Sequence, residues 1–160
     1  MTVIEELEKN KNKRKQSYED IKEWVQNFIL SHGQGNCLFV TLASNNVHNK
    51  ESIYKALQDW LNNIVSRIFR CSKEKIKQMN KIHILGFLEK NKHGNYHYHL
   101  VLYITNEYKE YFKSLCNRFW RKRYNDGTTN IMEINDVKNL SSYVTKDFYM
   151  KESKDYFFCF

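Results

Sequence analysis

Two apolar-rich segments joined by a short polar turn constrain this chain more than any other feature. Tyr96 to Ile104 is rich in aromatic and β-branched residues, which favours a strand. Side chains alternate faces along a strand. His97, His99, Val101 and Tyr103 therefore share one face, and Tyr98, Leu100, Leu102 and Ile104 share the other. The second set is apolar and is expected to meet the core. Residues 82–89 form another strand candidate, with His83, Leu85, Phe87 and Glu89 on one face. The polar stretch 90–95, with Gly94, predicts a hairpin between them.

Opposed residues of an antiparallel pair lie on the same face. A register that sets Glu89 across from His97 or His99 places a carboxylate and two imidazoles on one surface. Converging neutral imidazoles and a carboxylate form a divalent-metal site. The His-X-His pattern by itself is equally that of two solvated strand histidines.

The rest of the chain supplies one domain around this hairpin. At 160 residues it is long enough for a proper core. Residues 1–16 are densely charged, with Glu5, Glu6 and Glu8 ahead of Lys9, Lys11, Lys13, Arg14 and Lys15. They are expected as a flexible arm, either a frayed helix or a disordered tail, ahead of a domain over residues 17–160. Residues 18–30 show helical spacing of Ile21, Trp24, Val25, Phe28 and Ile29, ending near Gly33 and Gly35. Residues 37–43 read as a central buried strand. Residues 50–69 are the clearest helix, with a stripe from Ile53 to Ile68. A second helix is expected over 106–123, a fourth strand over 128–135, and a last helix capped by Asp136 and running to about Met150. The apolar end, Tyr156 to Phe160, needs something to pack against.

The order is a helix, then β-α-β-β-α-β, then a helix. This is the split βαβ pattern, and it predicts an α+β fold with a ferredoxin-like or RRM-like antiparallel sheet. Helices are expected on one face and an open catalytic face on the other. Strand parity puts His97 and His99 on that open face.

Charge and motifs narrow the function. The net charge of +8 and pI near 9.2 favour a polyanionic partner such as nucleic acid. Arg118, Arg121, Lys122 and Arg123 are candidate DNA contacts, and the basic run from Arg67 to Lys81 is either another or a solvated connection. Cys37, Cys71, Cys116 and Cys159 show neither CxxC nor zinc-ribbon spacing, which points to reduced thiols and a cytoplasmic setting. No apolar run has signal-peptide or transmembrane length, so no membrane partner is expected. No P-loop motif occurs.

Tyr143-Val144-Thr145-Lys146 falls on the last predicted helix, where residues three apart are neighbours. A tyrosine phenol is a nucleophile once it loses its proton and has an electrophile in line. A metal on the hairpin could polarise a phosphodiester for Tyr143, and Lys146 could stabilise the developing charge. The alternative is an amphipathic helix with a half-buried tyrosine and a solvated lysine. Tyr149 is the second-ranked nucleophile.

Together these motifs resemble a small HUH endonuclease of the single-tyrosine replication-initiator (Rep) type, found in rolling-circle plasmids and viruses. Phe39-Val40-Thr41-Leu42 resembles the first family motif, His97-Tyr98-His99-Leu100 the His-hydrophobe-His motif, and Tyr143 to Lys146 the Tyr-x-x-Lys motif. Glu89 matches the carboxylate that completes the family's metal site. The resemblance spans residues 37–151. It implies Mg²⁺ or Mn²⁺ held by Glu89, His97 and His99, and attack by Tyr143 on single-stranded origin DNA. A 5′-phosphotyrosine intermediate follows, then rejoining of the strand. It also implies a host helicase and polymerase as partners in the host cytoplasm, with a homodimer as one assembly. A transposase of the IS200/IS605 type and a non-catalytic RRM-like nucleic-acid-binding domain are the alternatives.

Overall fold

The computed structural model describes residues 3–46 and 49–160. Helix α1 (Val3–His32) leads into a 3₁₀ turn and strand β1 (Cys37–Ala43). Helices α2 (Lys50–Phe69) and α3 (Lys73–Lys77) precede β2 (Ile82–Lys90) and β3 (Tyr96–Ile104). Then come α4 (Asn106–Arg121), β4 (Thr128–Glu133), α5 (Val137–Thr145), α6 (Lys151–Asp155) and a short β5 (Phe158–Cys159). The strands form one antiparallel sheet in the order β4-β1-β3-β2-β5. The α+β fold with an antiparallel ferredoxin-like sheet is thus the one expected.

Period-two alternation fixes which side of the sheet is which. Tyr98, Leu100, Leu102 and Ile104 are fully buried against α2 and α4, in a cluster that also takes Leu38, Val40 and Leu42 from β1. Trp60 and Trp120 lie at its centre, and each indole N–H is satisfied: Trp60 donates to the Cys116 carbonyl and Trp120 to the Ala43 carbonyl. Asn49 caps α2 by accepting from the Ser52 N–H.

The opposite face is not wholly bare. Helices α1 and α5 cover its lower half, where Val25, Ile29 and Val144 meet Leu85, Phe87 and Val101. Gln26 donates to the Ser141 hydroxyl and so ties the two helices together. Only the end carrying Glu89, His97 and His99 stays accessible. Helix α1 starts at Val3, so the charged segment expected as an arm is continuous with the packing helix.

Helix α5 is shorter than expected and stops at Thr145. The chain leaves the helix because Phe148 turns inward, edge-on to both Phe87 and Phe157. The apolar C-terminus packs on its own domain. Phe158 is buried and pairs with Gly86, and Phe160 exchanges two backbone hydrogen bonds with Ile84. Strand β5 thereby covers the β2 edge.

Gly86 is needed for that closure. A Cβ there would stand 2.9 Å from the Phe158 Cβ and 3.2 Å from a Leu100 methyl. We expect Gly86→Val to lower stability by about 1–3 kcal/mol through overpacking, read as a drop in the urea midpoint. The hairpin turn uses Gly94 at φ +84°, with Asn91 accepting from the backbone N–H of His93 and of Asn95.

Candidate metal and nucleophile site

The hairpin register decides the site. Glu89 pairs with His97 and Phe87 with His99, so the carboxylate and both imidazoles emerge on one face at one end of the sheet. His99 Nε2 is their common neighbour. It lies 3.0 Å from Glu89 Oε2 and 3.1 Å from His97 Nε2. His97 Nε2 is 3.8 Å from the same carboxylate oxygen. One ligand atom from each of the three residues falls within 4.8 Å of the others.

The electrostatics prepare these groups as ligands. Burial and the neighbouring His99 ring push the His97 imidazole down to about 4, so it is neutral at pH 7. Burial opposes ionisation of Glu89, but hydrogen bonds from His99 and Lys146 more than offset it and bring the carboxyl down to about 2. An anionic oxygen and two imidazole nitrogens that converge on one point suit a divalent cation of the borderline or hard class. The residues present therefore fit such an ion.

These shifts carry a stability consequence. Both folded values lie below the ordinary ones, so the unfolded chain binds protons first as pH falls. Stability of the metal-free protein is complete above about pH 6.5. It is lost as pH drops toward about 4 through His97, and further toward about 2 through Glu89. We expect the urea midpoint in EDTA to fall between pH 7 and pH 4.5, and the fall to shrink in His97→Gln.

Helix α5 brings the phenol. Asp136 caps it by accepting from the Asn139 N–H, and Val144 and Ser141 anchor its buried side. Tyr143 is 43% exposed, and its hydroxyl sits 3.4 Å from His99 Nε2. Lys146 follows at the C-cap. Its ammonium donates to Glu89 Oε1 at 2.9 Å and stands 4.2 Å from the centre of the Tyr143 ring. Burial works against the charged ammonium, but the bond to Glu89 outweighs it and raises Lys146 above its usual range. Glu89, His97, His99, Tyr143 and Lys146, far apart in sequence, thus form one continuous group.

Other expected residues lie elsewhere. Tyr149 is 61% exposed, and among the described residues no hydrogen bond or ring contact joins it to the cluster. The basic group at the end of α4 occupies the helical layer behind the sheet. There Arg123 pairs with Asp59, Arg121 donates to the Asn125 carbonyl, and Arg118 and Lys122 flank Phe119. The run from Arg67 to Lys81 precedes β2 at the end opposite Glu89, about 23 Å away at the usual strand rise. Lys81 pairs with Glu107 there.

Two site residues carried no sequence signal of their own. Strand β1 lies beside β3, with Thr41 opposite His99. The Thr41 hydroxyl is 3.1 Å from His99 Nδ1, and Phe39 stacks on the same imidazole at 5.3 Å. With Nδ1–H donating to Thr41, the Nε2 lone pair faces the cluster. Period-two parity along 37–43 groups Phe39, Thr41 and Ala43, but the nearly continuous apolar run hides which face borders the histidines. Thr41→Val keeps the volume and removes that acceptor. We expect it to weaken Mn²⁺ binding about 10–100-fold by titration calorimetry.

Fold and cluster define an α+β protein with an antiparallel sheet that presents a Glu/His/His group able to hold a metal, with a tyrosine beside it. Residues 37–153 match the Replication-associated protein family of the ORF2 type, and the chain belongs to that family. No curated protein and no solved structure matches it. Among the described residues no helix is long and apolar enough to cross a membrane.

Proposed function

We propose that this replication-associated protein is a single-tyrosine HUH endonuclease that initiates rolling-circle replication by nicking and rejoining single-stranded origin DNA. One observation carries the reading: the Tyr143 hydroxyl lies 3.4 Å from His99 Nε2, the atom on which the Glu89/His97/His99 group converges. A scissile phosphate at that group would lie within reach of the phenol.

Glu89, His97 and His99 would hold Mg²⁺ or Mn²⁺, which when bound supplies Lewis-acid polarisation of a phosphate oxygen. Tyr143 supplies the nucleophile. Its phenolic oxygen forms a bond to phosphorus as the bond from phosphorus to the 3′ oxygen breaks. The phenol proton leaves, and the departing oxygen takes up a proton as a free 3′-OH. The DNA stays on the protein as a 5′-phosphotyrosine. Lys146, against both Glu89 and the Tyr143 ring, steadies negative charge on the phenolate and the phosphoryl oxygens. Reversal of the same step by an incoming 3′-OH rejoins the strand, and the adduct conserves the bond energy. Host polymerase and helicase would work from the freed end in the host cytoplasm.

The family match favours replication over transposition. An RRM-like binder would present free aromatics on its sheet. Tyr103, the candidate for that role, is instead packed against His32 and His83 beneath α1. The test uses single-stranded oligonucleotides tiling the replicon that encodes the protein, with Mn²⁺. A denaturing gel should show a covalent adduct with at least one of them and none in EDTA. No adduct across the tiled set rejects the nuclease.

A further inference from the structure

The row of side chains that begins at Glu89 and His97 continues across the sheet. Thr41 and Asn130 extend the His99 row over β1 and β4, and Phe39 and Met132 extend the row below it. That lower row ends in a cleft of about 320 Å³ between the β4 edge and α5, within the usual range of small-ligand sites. Its walls are Phe39, Met132, Leu140 and Tyr143, and its polar groups include the amides of Asn135 and Asn139.

Three features determine what it takes. First, it is continuous with the proposed reaction site, because Tyr143 and Phe39 line the cleft and also contact His99. Second, its charge is wrong for a phosphate. Its two acids are already engaged, Glu133 with Lys109 and Lys113 and Asp136 in capping α5, and no cation lines it. An uncharged flat group suits it, and aromatic walls stack bases. Third, the side-chain amides of Asn135 and Asn139 have no hydrogen-bond partner among the described residues, and both residues are exposed. A side-chain amide offers one donor beside one acceptor, the pattern that pairs with adenine through N6 and N7.

Resting on the nuclease reading for the identity of the strand, we propose that this cleft binds one unpaired base of the substrate strand next to the scissile phosphate and selects adenine through Asn135 and Asn139. The base stacks between Phe39, Tyr143 and Leu140 while its phosphates stay on the open sheet. Occupancy of the cleft sets the register of the strand, and so which phosphate faces Tyr143.

The experiment separates binding from chemistry. Fluorescein-labelled dA12, dT12 and dC12 are titrated with the full chain in EDTA, and anisotropy is followed. Wild type should bind dA12 about tenfold more tightly than the other two. The Asn135→Ala/Asn139→Ala double variant should bring the three to within about twofold, with dT12 affinity unchanged. Both residues are exposed, and a wild-type circular dichroism melt checks the fold. Equal affinity for the three strands, binding to none, or an adenine preference that persists in the double variant overturns the proposal. The covalent-adduct assay is scored apart. Adduct formation without an adenine preference rejects the cleft and keeps the nuclease. An adenine preference lost in the double variant, with no adduct on any strand, keeps the cleft and rejects the nuclease.

Discussion

Tyr143→Phe should abolish the covalent protein–DNA adduct, to below detection on a denaturing gel, while leaving the protein folded. The change removes a single oxygen. That oxygen is the proposed nucleophile, and a phenyl ring offers no substitute. Its one hydrogen-bond partner in the structure is His99, at the long distance of 3.4 Å. The ring is 43% exposed and its edge contact with Phe39 survives in phenylalanine. We therefore expect stability within about 0.5 kcal/mol of wild type. The loss is then chemical, not structural. An adduct retained in Tyr143→Phe would move the nucleophile elsewhere, with Tyr149 the first to examine. Tyr149→Phe should leave adduct yield as it is, because that residue stands on the turn beyond α5 without contact to the cluster.

The second large effect is on the metal. Glu89→Ala removes the only anionic member of the three-residue group and should cost more than the roughly 10–100-fold typical of losing a supporting partner. The readout need not involve DNA. A ligand that binds only the folded state stabilises it, by about 2.7 kcal/mol at a hundred times its dissociation constant. At such a Mn²⁺ concentration the wild-type melting temperature should rise by several degrees over the EDTA value. Glu89→Ala should melt at the same temperature with and without Mn²⁺. Without metal the variant should stay folded, since Glu89 is partly exposed and the partner it strands, Lys146, has a side chain 40% exposed. A full Mn²⁺-dependent rise in Glu89→Ala would remove the carboxylate from the site. Lys146 needs watching in this experiment. Freed from Glu89, its ammonium is left beside the Tyr143 ring, so any change in phenol reactivity should be compared with that of Lys146→Ala.

How much of this could be read in advance depends on the reach of each interaction. The hairpin was legible because it is local. Alternation from Tyr96 to Ile104 fixes two faces, the turn at 91–94 is short, and pairing Glu89 with His97 follows once the turn closes. The Tyr-x-x-Lys spacing was legible for the same reason, although Lys146 ends the helix at its C-cap instead of lying within it. The partners that support His99 were not. Thr41 is 58 residues away, and its place beside His99 depends on β1 lying between β4 and β3. The length of α5 was also misjudged, because Phe148 leaves the helix to reach Phe87 and Phe157.

The chain alone thus settles which side chains share a face, since backbone geometry assigns faces by counting along a strand or helix. It also settles where the apolar stripes of α2 and α4 fall. Strand order, the cover that α1 and α5 lay over half of the histidine face, and the cleft beside Tyr143 were decided only in the folded molecule. Those features arise from contacts between segments distant in sequence, chosen by how well apolar surfaces pack together, and no local spacing encodes that choice.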